Sequence, residues 1–257
     1  MLKNSTAYVT GASQGIGRQI SISLAEEGAN VALAARSEGI YETAEIIDDE
    51  ERALPIKTDV TVEQSVKKSL EKTAEEFGSV DILVNNAGIS GPTSPVEKIS
   101  TEEWDKTMAV NVKGVFLVIK HGVPFLKESD QARIVNIAST SGKKPLKNRT
   151  PYTASKMAVI GLTRTLAFEL GNVGVTVNSI CPGTVKGQRA KDVIKKRADD
   201  LGISYEEAKR KLFVGDTALE SMVDAESIAN QVLYLVSDKG RDITAQDINV
   251  DAGGAWY

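Results

Sequence analysis

Short apolar runs alternate with longer amphipathic stretches along the chain. The runs are "TAYVT" (6–10), "NVALAA" (30–35), "ALPIKT" (53–58), "VDILVNN" (80–86), "ARIVNIAS" (132–139), "VTVNSIC" (175–181) and "QDINVDA" (246–252). They are rich in Val and Ile, and most lack strict apolar–polar alternation. That pattern marks parallel strands buried on both faces. The stretches between them carry helical periodicity. Gly28, Gly78 and Gly171 stand where helices are expected to stop. Ser100 with Glu103, and Thr61 with Gln64, have capping-box spacing ahead of apolar-periodic runs. Strand–helix alternation of this kind predicts an α/β fold. It is a Rossmann-type doubly wound parallel sheet of about seven strands, with helices on both faces. No repeat or low-complexity linker interrupts it, so residues 1–257 read as one domain.

Residues 184–222 break the rhythm. They hold two polar helical segments and no strand, between the sixth and seventh runs. A long excursion after the carboxyl end of a strand predicts a helical lid over a ligand site.

The first strand runs into "TGASQGIG" (10–17), with Gly11, Gly15 and Gly17 ahead of a helix. Gly11 permits a tight turn off the strand. Gly15 lets backbone approach a pyrophosphate, and Gly17 lets the helix pack closely. The helix N-terminus then offers free N–H donors to phosphate. The spacing differs from the G-x-G-x-x-G fingerprint. The second strand ends Ala34-Ala35-Arg36-Ser37, with no carboxylate to accept a ribose 2′-hydroxyl. A guanidinium there suits a 2′-phosphate, which favours NADP(H), with NAD(H) as the alternative.

"RTPYTASK" (149–156) opens a further helix. Thr150 is expected as its N-cap and Pro151 at its first position. Tyr152 and Lys156 then stand one turn apart on one face. A phenol is a poor acid or base at neutral pH, but a neighbouring ammonium and an oxidised nicotinamide both favour the phenolate. Ser139, ending the fifth run, is placed to hydrogen-bond a substrate oxygen.

These residues together resemble the short-chain dehydrogenase/reductase family, in its compact single-domain branch, over essentially the whole chain. "TGASQGIG" is similar to its glycine motif, "NNAG" (85–88) to its fourth-strand motif, and "YTASK" (152–156) to its Y-x-x-x-K. Asn111 in "MAVNVKG" and Ser139 in "NIASTSG" resemble its active-site asparagine and serine. The resemblance implies catalytic roles for Ser139, Tyr152, Lys156 and Asn111. Lys156 also holds the nicotinamide ribose, and Asn111 helps hold a proton-relaying water. It implies coenzyme contacts at Gly11, Ser13, Gln14, Gly15, Ile16, Gly17, Arg36 and Ser37. Asp59 and Val60 meet the adenine, and Asn86, Ala87 and Gly88 line the coenzyme. Pro182, Gly183 and Val185 close over the nicotinamide, with Tyr152 and Lys156 beneath. Relatives often carry threonine where this chain has Gly187, and "DAGG" (251–254) replaces the commoner "DGG". The implied activity is hydride transfer between nicotinamide and a secondary alcohol or ketone. The alternatives are a 3-ketoacyl thioester reductase of the same family, or a nucleotide-sensing protein without turnover. A homotetramer or homodimer is implied too. Trp256 and Tyr257 are expected to pack on a neighbouring subunit.

Composition narrows the rest. A formal charge of −4 over 257 residues argues against general nucleic-acid or membrane-surface binding. No apolar run approaches a membrane span, and the N-terminus enters structure at once, which predicts no signal peptide. One cysteine, Cys181, excludes an internal disulfide and fits the cytoplasm. With a single histidine, His121, no zinc site of the usual kind is expected, and His121 reads as structural. Against the acidic whole, Lys143, Lys144, Lys147 and Arg149 lie between Ser139 and Tyr152. Lys186, Arg189, Lys191, Lys195, Lys196 and Arg197 lie in the lid. This basic rim suggests a small anionic hydroxy or keto substrate, sugar-, polyol- or hydroxy-acid-like.

Overall fold

The computed structural model describes residues 2–257, apart from the side chain of Arg189. Its strands are β1 (Thr6–Thr10), β2 (Asn30–Ala35), β3 (Ala53–Lys57), β4 (Ile82–Asn85), β5 (Arg133–Ile137), β6 (Thr176–Pro182) and β7 (Asp247–Val250). They form one parallel sheet in the order β3-β2-β1-β4-β5-β6-β7. Each apolar run of the sequence supplies one strand.

Side chains of the central strands alternate between two cores, as a period of two requires. Tyr8, Leu83, Ile134 and Val177 enter one core, with α3 (Glu63–Phe77), α5 (Gly114–Leu126) and α6 (Thr150–Leu170). Val9, Val84 and Val135 enter the other, with α1 (Gly15–Glu26), α2 (Gly39–Ile47) and α9 (Ala225–Val236). Burying each such side chain contributes about 1.5–3 kcal/mol. Two buried faces explain why the runs are apolar almost throughout. Tyr8 is fully buried, and burial pushes its phenol up to about 12 against its bond to Ser69.

The sheet grows outward in both directions from the β1–β4 boundary, with connections on opposite faces. At such a boundary a crevice opens beyond the carboxyl ends of the strands. The site described below lies there.

Helix ends follow the sequence only in part. Gly78 takes a left-handed φ of 81° and ends α3. Ser100 and Glu103 form both halves of a capping box on α4 (Thr101–Met108). Gly171 caps the end of α6 as expected but keeps helical angles, and a tighter 3-10 turn carries the chain on to Gly174, whose φ is 81°. Thr61 caps nothing, because α3 starts one residue later with Val62 at the cap position; the Thr61 hydroxyl donates instead to the Asp59 carboxylate at 2.7 Å. Arg149, not Thr150, is the N-cap of α6, and Pro151 lies within its first turn.

Helix α4 continues into α5 through a wide π-type turn, Ala109–Lys113. By length and composition the combined rod Thr101–Leu126 could span a bilayer, which amends the expectation that no segment approaches that length. Half of its most apolar window is buried in the fold. His121, on this rod, bonds Glu63 of α3 at 2.9 Å, an inter-helix contact that fits its structural reading.

Between β6 and β7 lie α7 (Gln188–Leu201) and α8 (Tyr205–Lys209), with a π-type turn at Arg210–Val214. Ile194, Ala198 and Ala208 form a small core of their own, covered by Tyr205 and Phe213. A single bridge, Val185 to Val223, ties the roots of the excursion together.

Candidate active site

The turn from β1 into α1 is held by close contact with the end of β4. Gly11 has φ 67°, and a Cβ there would lie 2.8 Å from Asn86 Nδ2. A Cβ on Gly17 would lie 2.2 Å from the Gly11 carbonyl oxygen. The Asn86 amide fills the space that these glycines leave, donating to the carbonyls of Thr10 (2.9 Å) and Gly11 (3.2 Å). Thr10 Oγ1 accepts from the backbone N–H groups of Asn86 and Ala87 at 3.0 and 3.1 Å. Gly15 is different. It has φ 56° and nothing within 4 Å of a Cβ position, so its outer face is open. Helix α1 has no side-chain cap and no acid in its first turn. Its uncapped N–H groups and positive dipole end fit a phosphate. Ser13 is buried, Ile16 half-buried and Gln14 exposed.

Arg18, which motif reading passed over, braces this turn from behind. Its guanidinium donates to Ser13 O (2.6 Å), Gly39 O (3.3 Å), Thr43 Oγ1 (3.1 Å) and Glu42 (2.8 Å). Arg36 and Ser37 project exposed at the end of β2. Arg36 Nη1 stands 3.7 Å from Asp59 Oδ2. Burial raises the Asp59 carboxyl, but bonds from Thr61 and the Arg36 charge outweigh it and hold it below the usual range. Val60 is buried.

The second half of the site comes from α6 and the turn after β5. Lys156 is buried, and its ammonium donates to Ile137 O at 2.7 Å. It lies 5.8 Å from the centroid of the Tyr152 ring. The Arg149 guanidinium lies over the same ring, 4.9 Å from its centroid. Arg149 also donates to Ser90 O at 2.9 Å and Thr93 Oγ1 at 3.2 Å. Ser139 is buried, and its Oγ accepts from Ser141 N at 3.1 Å. A Cβ on Gly142 would lie 2.9 Å from the Lys156 carbonyl, so the Ser139 turn rests directly on α6.

Asn111 sits on the wide turn between α4 and α5, a type of bulge frequent at functional sites. Its Oδ1 accepts from Ile89 N (2.8 Å). Its Nδ2 donates to Ile89 O (2.9 Å) and Ser155 Oγ (3.0 Å). Ser155 Oγ in turn donates to Tyr152 O at 2.7 Å. A Cβ on exposed Gly88 would stand 3.3 Å from Asn111 Oδ1 and 3.7 Å from Lys156 Nζ. The arrangement thus sets the Lys156 ammonium beside the Tyr152 phenol and rests the turn that follows Ser139 on the helix that carries both. Such a set can bind an oxygen and move a proton to or from it.

Residues matched by a short chain dehydrogenase family model run from 5 to 198. The chain belongs to this family. A 3-oxoacyl-acyl-carrier-protein reductase FabG of Staphylococcus epidermidis is 38% identical over 256 residues, covering 97% of this chain and 98% of that protein. A D-beta-hydroxybutyrate dehydrogenase of Rhizobium meliloti is 34% identical over 254 residues, covering 96% and 97%. The solved structure of a single-substitution variant of actinorhodin polyketide ketoreductase with NADPH superposes with TM-score 0.93 at 34% identity, covering all of both chains. As a short-chain dehydrogenase, the protein is an oxidoreductase of alcohol and ketone groups that uses a nicotinamide coenzyme.

Among the short-chain dehydrogenase positions, Pro182 O accepts from Thr140 Oγ1 at 3.3 Å, joining that segment to the Ser139 turn. Gly183 packs against Asp251, and Val185 bridges Val223 at the root of the excursion. Cys181, just before them, is a free buried thiol that burial pushes up to about 11. Gly187 has φ 150° and opens α7. In "DAGG", Ala252 and Gly253 take φ 58° and 79°, held by Asp251 carboxylate bonds to Gly253 N (3.0 Å) and Ala255 N (2.7 Å).

The basic rim is not one surface. Lys143 turns inward and pairs with Asp247 at 2.8 Å, so it does not border the mouth. Lys186 pairs with Asp224. Lys144, Lys147, Lys191, Lys195 and Lys196 are exposed, Arg197 is half-buried, and the Arg189 side chain lies outside the described residues.

The Gly11–Gly17 contact generates a direct test. Gly17→Ala forces a methyl group into the Gly11 carbonyl. We expect a loss of about 1–3 kcal/mol of stability, with weakened binding of the nicotinamide coenzyme. Urea unfolding and coenzyme fluorescence titration measure both.

Proposed function

We propose that the protein is an NADP(H)-dependent alcohol dehydrogenase or ketone reductase acting on a small polar, anionic secondary alcohol or ketone. The observation that supports this reading is the contact of Lys156 with the Tyr152 ring, with the turn after Ser139 at Gly142, and with Gly88 just beyond β4. When bound, the nicotinamide supplies or accepts a hydride at its C4.

Tyr152 gives its phenolic proton to the substrate oxygen in reduction and takes it back in oxidation. Ser139 Oγ–H donates a second hydrogen bond to that oxygen, stabilising charge that develops there. The buried Lys156 ammonium lies beside the Tyr152 ring and holds the nicotinamide ribose. Asn111 orders Ile89 and, through Ser155, the first turn of α6, and supports the water that passes protons outward. Gly11 to Gly17 receive the pyrophosphate, Asp59 and Val60 the adenine, and Asn86 to Gly88 the inner ribose. Pro182, Gly183 and Val185 cover the nicotinamide, and the helices of 184–222 act as the lid. Residues 1–257 are read as one domain of a cytoplasmic homotetramer or homodimer.

NADP(H) preference rests on exposed Arg36, with no carboxylate at the end of β2 to receive a free 2′-hydroxyl. The anionic substrate rests on Arg149 beside Tyr152 and on exposed Lys144 and Lys147. The relative named for hydroxybutyrate supports it. A second reading, reduction of 3-oxoacyl thioesters, draws support from the 38% identical reductase.

A panel of hydroxy acids, sugar phosphates, polyols and acyl thioesters, assayed by coenzyme absorbance, tests the reaction. Tyr152→Phe should lower turnover by about 10²–10⁴-fold on the active panel member while leaving NADPH binding intact. Binding with no turnover on any member would instead indicate a nucleotide sensor. Arg36→Ala should weaken NADPH by about ten- to a hundredfold, as loss of a charged hydrogen bond implies, and leave NADH nearly unchanged. Equal losses for both coenzymes would refute the preference. Lys144→Glu with Lys147→Glu should raise KM for anionic members, and the difference from wild type should shrink as salt rises. An unchanged KM would show that Lys144 and Lys147 take no part in binding the anion.

A further inference from the structure

Asp247 sits at the start of β7, where one carboxylate meets two cations from different elements. Lys143, just after the Ser139 turn, places Nζ 2.8 Å from Asp247 O and 2.8 Å from Asp247 Oδ2. Arg164, on α6 two turns beyond Lys156, places Nε and Nη2 at 3.0 and 2.6 Å from Oδ1. The side chains of Lys143 and Asp247 are each only 10% exposed. Fixing a lysine costs rotamer entropy, and burying its charge costs more. Such a pair contributes little net stability, so its effect lies in direction rather than strength.

We infer that Asp247 and Lys143 form a clamp that positions Ser139 against Tyr152 by tying the Ser139 turn and helix α6 to the same point on β7. The inference rests on the roles proposed above for Ser139 and Tyr152.

The turn transmits position because it is internally bonded. Lys143 N and Lys144 N both donate to Thr140 O, at 2.9 and 2.7 Å. Gly142 N donates to Ser139 O at 2.9 Å, and Ser141 N to Ser139 Oγ at 3.1 Å. A displacement of Lys143 therefore carries through Thr140 to the serine. The same carboxylate grips α6 through Arg164, so both partners of the substrate oxygen refer to one anchor. Tyr257 Oη adds a bond to Lys143 O at 3.3 Å, drawing the C-terminal tail onto the turn. Burial raises the Asp247 carboxyl, but bonds and charge from Lys143 and Arg164 outweigh it and keep it below its ordinary range.

Amide hydrogen exchange of the full chain tests the clamp without any substrate. In Lys143→Met, the amides of Ser141, Gly142 and Lys143 should exchange about tenfold faster or more, while those of β5 keep their protection. Unchanged exchange in the turn overturns the inference. If Lys143→Met does not fold, Asp247→Asn serves, since it keeps shape and the main-chain acceptor but removes the charge. The kinetic arm uses the active panel member. Lys143→Met should lower kcat by about ten- to a hundredfold with KM for NADPH unchanged, as a displaced hydrogen-bond donor predicts. In a Ser139→Ala background the same substitution should cost almost nothing further, because the two residues act through one another. A full additive loss there overturns the clamp. An inactive wild type on the whole panel would refute the proposed function alone, leaving the exchange result to decide the clamp.

Discussion

The close approach between the ends of β1 and β4 is the constraint on which the rest depends. Three backbone segments converge there, and only glycine lets them do so: Gly17 faces the Gly11 carbonyl, and Gly11 faces Asn86. The Asn86 amide and the Thr10 hydroxyl satisfy the polar groups that this closeness would otherwise bury unpaired. With those bonds made, α1 starts at a fixed place and angle beside the sheet's switch point. An uncapped helix start is normally a small cost; here it leaves donors aimed into the crevice.

The opposite half of the crevice is fixed by polar bonds inside an otherwise apolar core. Asn85 Nδ2 donates to Asn136 Oδ1 at 2.8 Å, and Asn136 Nδ2 donates to Thr163 Oγ1 at 2.9 Å. This chain links β4 to β5 and β5 to α6. A second chain runs from Ile89 through Asn111 and Ser155 to the carbonyl of Tyr152. Apolar packing alone tolerates small slides of a helix on a sheet. Hydrogen bonds have length and direction, so they set register. The helix carrying Tyr152 and Lys156 is held by both chains.

The strands and the order of the motifs were legible because they depend on local pattern: burial on both faces leaves continuous apolar runs, and glycine marks tight turns. What escaped depends on partners distant in sequence. Thr61 has capping spacing, yet its hydroxyl and backbone N–H both bond the Asp59 carboxylate and the helix starts one residue later, with Val62 at the cap. Gly171 precedes a second glycine, and the left-handed residue is the later one, Gly174. Arg18 reads as an ordinary polar position on α1, and only α2 folding against it shows its bracing role. Thr10 offered a signal, a hydroxyl ending an apolar strand immediately before the glycine turn. Asn111 falls on a wide turn that no helical period reveals.

The cations between Ser139 and Tyr152 show how charge alone misleads. Four basic residues within seven positions look like one field on the linear chain. In the fold, each fate follows from what lies within reach of the side chain. Lys143 meets a buried carboxylate, so its charge is neutralised inside the protein and contributes little to potential outside. Arg149 lies over the Tyr152 ring and donates to Ser90 O and Thr93 Oγ1. It is a cation with a fixed place and direction, and an aromatic face attracts such a group more strongly where water is excluded. Lys144 and Lys147 stay in solvent, where salt screens them within about 8–10 Å. Any attraction for an anion at the Tyr152 end of the crevice therefore rests first on Arg149 and Lys156, which bonds to the carbonyls of Ser90 and Ile137 hold in place.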